Sequence, residues 1–191
     1  MAAAQTVNLS SVQRSVDLEA LFKQCFYKDY KTLLIGGADE PLYSPARSSD
    51  EFHRLYYRAD YFASALHEIA HWCIAGAQRR QQEDWGYWYC PDGRSPDQQR
   101  AFEAVEIKPQ AVEWMLSVAA AAPFRISSDN LLGMANHTEE GGDFYRAVAA
   151  QVQCYRQASL PSRAGQFLLA LAAFYGVADP MAEKHYAGLE P

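Results

Sequence analysis

Between positions 10 and 27 the stretch SSVQRSVDLEALFKQCFY carries Val16, Leu18, Leu21, Phe22 and Cys25 at helical spacing, the pattern of a helix with one buried stripe. The texture then changes. TLLIGG, EPLYSP and FHRLYYR are short runs rich in Leu, Ile and Tyr, cut by Gly, Pro, Ser and Asp, and they predict two or three short strands. A second helix is expected from Asp60 to about Arg79, with Gly76 near its end. The segment EDWGYWYCPDGRSP is aromatic and turn-rich and reads as an ordered loop. Ser95-Pro96-Asp97-Gln98 has the form of a helix start, with Ser as N-cap, Pro at the first position and Gln98 closing a capping box. That helix runs through FEAVE. Pro109 is expected to kink or restart it, because proline has no backbone N–H to donate. PQAVEWMLSVAAAA continues as helix, PFRISSDNLLGMANHTEEGGD is mostly loop, and 143–156 and 161–176 are two more helices. The sum is an α+β chain, α-rich, with a small antiparallel sheet ahead of the second helix, organised as a single domain over 1–191.

Composition narrows this little but excludes several classes. A chain of 191 residues can bury a sizeable core, and 49% apolar with 21% charged residues is the balance of a globular protein. The opening MAAAQTVNLSSVQRS has no basic region followed by an apolar stretch, so no secretory signal is expected. The most apolar run, QFLLALAAFYGVA, is too short to cross a bilayer. A cytoplasmic protein without membrane contact is the expectation. A net charge of −6 argues against a nucleic-acid partner and fits small-molecule or protein partners. Cys25, Cys73, Cys90 and Cys154 form no CxxC pair, which suggests buried free thiols rather than a thiolate zinc site or a disulfide framework.

The chemistry concentrates in HEIAHWCIAG, residues 67–76. Two histidines four apart lie one turn above the other on a helix, so both imidazoles can reach one ion at the ~2.0–2.1 Å of a metal–nitrogen bond. On a helical wheel Phe62, Leu66, Ile69 and Cys73 form one apolar stripe; Tyr61, Ala65 and Trp72 a second side; Ala63, Ala70 and Ile74 much of a third. A helix apolar nearly all round is buried. Its central polar residues, Ser64, His67, Glu68 and His71, share one wedge, and burying them costs free energy unless they are hydrogen-bonded or metal-bound. The third ligand falls among Glu103, Glu106 and Glu113 of the next helix. Glu106, between Val105 and Ile107 and just before Pro109, is the preferred residue, and Glu103 is the alternative; either acid could instead orient a histidine. His137 and His185 lie in loop-like or terminal surroundings. Two histidines and one carboxylate leave coordination positions open. With zinc, Glu68 could deprotonate a water there and the protein would be a metallopeptidase; with ferrous iron the same donors suit oxygen activation. Spacing alone does not choose between them. A third class, a binding module with a closed structural metal site, is opposed by the lack of cysteines at structural-zinc spacing.

HEIAHWCIAG, the pair Arg79-Arg80, GYWYCPDGRS and FEAVEIKPQAVEW, in that order, resemble the elongation factor P hydroxylase family. The resemblance runs from DEPLYSPA at residue 39 to PFRISSDNL near residue 131, with weaker similarity in the terminal helices. It implies a cytoplasmic, metal-dependent enzyme with a zincin-like core that hydroxylates a lysine of translation elongation factor P, usually one already carrying a β-lysyl group. It places His67, His71 and a glutamate, Glu106 before Glu103, at the metal. Zinc has no redox chemistry, so Fe(II) with molecular oxygen as cosubstrate is the expected pairing. Glu68 is then expected to hydrogen-bond a molecule in the open position or to act as a structural acid. A cationic lysine derivative calls for carboxylates and aromatic walls, and Tyr87, Tyr89 and Asp92 are expected to line the entrance. Arg79 and Arg80 either meet an acidic partner or cap a solvated helix end.

Overall fold

The computed structural model describes residues 13–85, 94–127 and 139–186. Helix α1, Ser15–Tyr30, buries Leu18, Leu21, Phe22 and Phe26, the stripe its periodicity calls for. Three strands follow: β1 (Thr32–Ala38), β2 (Leu42–Ser44) and β3 (His53–Arg58). The sheet order is β1-β3-β2, with β3 central. It is mixed and not the antiparallel sheet expected. β2 runs antiparallel to β3, Tyr43 opposite Leu55, whereas β1 pairs with β3 in parallel, Leu34 opposite Leu55. The reason lies in residues 45–52, which carry the chain back to the starting end of β1, so that His53 N–H bonds the Lys31 carbonyl at 2.8 Å. Alternation in β3 buries Leu55 and Tyr57 on the face covered by helices. At Gly36 a Cβ would lie 2.5 Å from the Tyr57 hydroxyl, so only glycine admits that ring. The same hydroxyl and the Gly36 N–H both donate to Glu19 of α1, at 2.8 and 3.0 Å.

Helix α2, Phe62–Ile74, is shorter than expected, and Arg79–Gln81 forms a separate turn of tighter helix. Its apolar side, Ala65, Leu66, Ile69, Ala70, Trp72 and Cys73, is buried. Trp72 meets Phe22 and Phe26 of α1 with ring centroids 5.0 and 4.8 Å apart. Helix α3, Pro96–Ala119, starts with the expected capping box: Ser95 Oγ accepts from Gln98 N–H at 3.3 Å and Gln98 Oε1 accepts from Ser95 N–H at 2.9 Å. It runs on through Pro109 and is not restarted there, and it packs along α2, α4 and α5. Helices α4 (Glu139–Gln157) and α5 (Ser162–Tyr175) complete the layer.

The end of α2 is held by arginines. Arg163, from the first turn of α5, donates to the carbonyls of Trp72, Cys73 and Ala75 at 3.0, 3.0 and 2.6 Å. Arg80 adds a bond to Ala75 at 2.6 Å. These are carbonyls that a helix end leaves without intrahelical donors. Arg79 pairs with Asp84 at 2.6 Å. Arg80 is thus engaged within the fold, whereas Arg79, though paired with Asp84, stays exposed. The thiols are not uniformly buried either: Cys73 is, Cys25 is partly so, and Cys154 is exposed. No helix among the described residues is long and apolar enough to cross a membrane.

Candidate metal centre

Helix α2 turns its polar wedge toward α3, and there His67 and His71 meet Glu106. The imidazole centroids are 4.7 Å apart with planes at 68°, and the two Nε2 atoms stand 3.1 Å apart. Glu106 Oε1 lies 3.3 Å from His71 Nε2 and Oε2 lies 3.7 Å from His67 Nε2. One donor atom from each residue falls within 4.8 Å of the others. Bonds of ~2.0–2.1 Å to a common ion would separate two ligating nitrogens by roughly 2.8–3.4 Å, which brackets the observed spacing. Glu106 is only 6% exposed, and its Oε2 has no hydrogen-bond partner. A buried carboxylate oxygen without a partner costs free energy, and a cation between the three side chains removes that cost. The donor set therefore fits a divalent metal.

Glu113, two turns beyond Glu106 on the same face of α3, plays a different part from the one its spacing first suggests. Its Oε2 is 2.8 Å from His67 Nδ1. This contact keeps a proton on Nδ1 and leaves Nε2 as the ring atom turned toward Glu106. Burial works to lower the pKa of His67, but Glu113, with help from Glu68 and Glu106, more than offsets it and lifts the imidazole to about 10. Burial raises Glu106, yet the hydrogen bond and charge of His71 and the charge of His67 prevail, and its carboxyl sits below the ordinary range. Glu68 is pushed up, first by burial and against the pull of both histidines.

Of the two rival acids, Glu106 joins the histidines. Glu103 instead accepts from Gln99 Nε2 at 2.9 Å within its own helix. Glu68 borders the same cavity as His67, His71 and Glu106, a space of ≈950 Å³ between α2, α3 and the sheet edge. Tyr87, Tyr89, Asp92 and His137 lie outside the described residues. The chain leading toward the first three does reach the cavity. Asp84 is pinned to Tyr43 by backbone bonds of 2.8 and 3.0 Å in both directions, and Glu83, Asp84 and Trp85 line the wall. Trp85, inside the aromatic loop, went unselected in the sequence, although it is 51% exposed, a signal of use for a large ring. His185 sits in the short turn Glu183–His185, beside Tyr186, and is no part of the cluster.

These positions can be set beside known proteins. The family model described as elongation factor P hydroxylase matches residues 21–186, a span that takes in the later part of α1, the sheet and helices α2 to α5. A Haemophilus influenzae protein named elongation factor P lysine hydroxylase is 48% identical over 163 residues, covering 85% of this chain and 90% of the relative. The HExxH helix, Glu106 and Glu113 all fall inside the matched region. The chain belongs to the elongation factor P hydroxylase family.

Proposed function

We propose that this protein hydroxylates a lysine side chain of translation elongation factor P, with His67, His71 and Glu106 holding a divalent ion, Fe(II) in the working enzyme. The observation that carries the metal part is the convergence of two Nε2 atoms 3.1 Å apart on a buried carboxylate with an unpartnered oxygen. Family membership carries the reaction and the protein substrate. A ferrous ion so held supplies the activation of molecular oxygen that C–H hydroxylation requires.

The chain's own residues have distinct parts in this reading. His67 and His71 would each offer Nε2 to the ion, Glu113 holds the ring of His67 through Nδ1, and Glu106 would neutralise part of the ion's charge. Glu68, at the cavity wall with its carboxyl pushed toward the protonated form, donates or accepts a hydrogen bond at the open position. In this reading the cavity would take the lysine stem, and Tyr87, Tyr89 and Asp92 would line its entrance beyond Trp85, which borders the cavity. The zincin-like core, the single domain, the β-lysylated form of the substrate lysine and a cytoplasmic location belong to the same reading. The donor set would equally serve a zinc peptidase with Glu68 as base, and family membership favours the hydroxylase.

Intact mass tests it. Incubation with elongation factor P bearing its lysyl modification, Fe(II) and oxygen should add the mass of one oxygen, and His67→Ala should abolish the gain. A folded, iron-loaded protein that adds none, and that cleaves peptides with zinc, would return the peptidase reading.

A further inference from the structure

Among the described residues, Glu68, Glu83, Asp84, Glu106 and Glu113 are the acids that line the cavity. Three of them are committed. Glu106 faces the imidazoles, Glu113 meets His67 Nδ1, and Asp84 is paired with Arg79 at 2.6 Å. Glu68 follows His67 in the chain and belongs to the wall of the centre itself. Glu83 differs from all four: it is exposed, it forms no ion pair with a described residue, and its Oε1 accepts from the Trp85 indole N–H at 3.1 Å. The backbone between the two is fixed. Asp84 and Tyr43 of β2 exchange backbone bonds of 2.8 and 3.0 Å, and the Tyr43 hydroxyl donates to the Arg80 carbonyl at 3.0 Å. Trp85 is therefore a large ring, 51% exposed, held at the rim and not folded into the core. It borders the metal cavity and also a separate hollow lined by Asp39, Glu40 and Tyr56. Of the arginines that line the cavity, Arg79 is neutralised by Asp84 and Arg80 is bound to the Ala75 carbonyl. Arg58 and Arg125 come from other elements, the end of β3 and the segment after α3.

We propose that Glu83 and Trp85 are the specificity-determining residues that recognise the lysyl extension of the target lysine, the carboxylate and the indole face together receiving its terminal ammonium. The inference rests on the hydroxylase reading above. Attaching a lysyl group turns the side-chain ammonium of the target into a neutral amide and sets new ammonium groups several bonds farther out. Telling the two forms apart needs a cation receptor on a wall other than the one that carries the metal donors. Those donors stand on α2 and α3, whereas Glu83 and Trp85 flank the residue bonded to β2. An indole face attracts an ammonium through its quadrupole, and a carboxylate adds a charge-assisted hydrogen bond. The bond from the indole N–H keeps the two groups side by side. It occupies one acceptor position of a carboxylate that has several. A bare lysine, shorter by the whole extension, gains nothing from the pair.

Glu83→Gln removes the charge, Trp85→Leu removes the ring, and Trp85→Phe keeps a ring but loses the N–H. On each variant KM and the anaerobic dissociation constant are measured with lysyl-modified and with unmodified elongation factor P, beside the affinity for Fe(II). For the modified form both constants should rise about tenfold in Glu83→Gln and Trp85→Leu, and less in Trp85→Phe. For the unmodified form they should stay within about twofold of the parent, so that the parent's preference for the modified form shrinks by the same factor. Fe(II) affinity should also stay within about twofold. Constants for the modified form that do not move would overturn the proposal. So would equal losses on both forms, because the pair would then dock the body of the partner and not the extension. A fall in Fe(II) affinity in step with KM would overturn it as well, by making the pair a support of the centre, and so would a parent that binds both forms alike. Failure of the hydroxylase reading looks different: the parent adds no oxygen to either form and binds neither anaerobically.

Discussion

Two neighbouring stretches of one helix put their polar groups to different uses. At the C-terminal end of α2 the backbone carbonyls of Trp72, Cys73 and Ala75 all receive donors from Arg163, and Ala75 a further one from Arg80. One turn earlier, His67, His71 and Glu106 crowd together with a carboxylate oxygen left unpartnered. In the first region the helix-end carbonyls are satisfied, although Arg163 Nε and Trp72 Nε1 have no partner of their own, and its groups serve stability. In the second a bound divalent ion would satisfy the buried carboxylate oxygen and both Nε2 atoms. The kind of group separates the two: carbonyls meeting a guanidinium in the first, and in the second two imidazoles and a carboxylate, the donors that ligate a divalent ion.

The largest test of that contrast is His71→Ala. It should remove bound metal and lower hydroxylation at least ~10³-fold, while the metal-free variant melts no lower than metal-free parent, as checked by metal analysis, intact mass and calorimetry. Arg163→Ala should do the reverse. Three carbonyls lose a charged donor, so urea unfolding should show a loss of about 2–3 kcal/mol, with Fe(II) affinity falling only as far as unfolding lowers it. An Arg163 variant that keeps its stability but loses metal would erase the contrast.

Between these lies Glu113→Gln, which keeps the shape of the contact with His67 but removes its charge. Fe(II) affinity should drop about 10- to 100-fold, read by competitive titration. The same contact sets a pH dependence. In the metal-free protein His67 is lifted from 6.5 to about 10, so the folded state binds the proton more tightly than the unfolded chain. The resulting stability is fully present below pH 6.5 and is lost as pH rises through about 10. Denaturant midpoints of metal-free protein should fall across that window, and Glu113→Gln should flatten the fall. The smallest expected effect is Glu103→Ala. With its carboxylate tied to Gln99, metal content and turnover should stay within about twofold of the parent, and a larger loss would bring Glu103 into the centre.

What could be read from the chain alone follows from geometry local to it. The spacing of His67 and His71 brings both rings onto one face of a helix, because a helix turns every 3.6 residues. Ser95 to Gln98 carry all parts of a cap within one turn, and the buried stripe of α1 is written in its own periodicity. Glu106 and Glu113 were likewise legible as acids on one face. Other features depended on how elements far apart in the chain come to rest on one another. The packing of α3 against α2 sets Glu106 at His71 and puts Glu113 behind His67, and a slide of two helical turns would have put Glu113 where Glu106 stands. The sense of β1 relative to β3 was decided by the path of residues 45–52, which have no periodicity of their own. The guanidinium that completes α2 comes from Arg163, a charged residue in the first turn of α5 that no local pattern marks. Local spacing is enforced by the backbone itself, whereas the register between elements is chosen by side-chain packing, and only the folded chain contains that information.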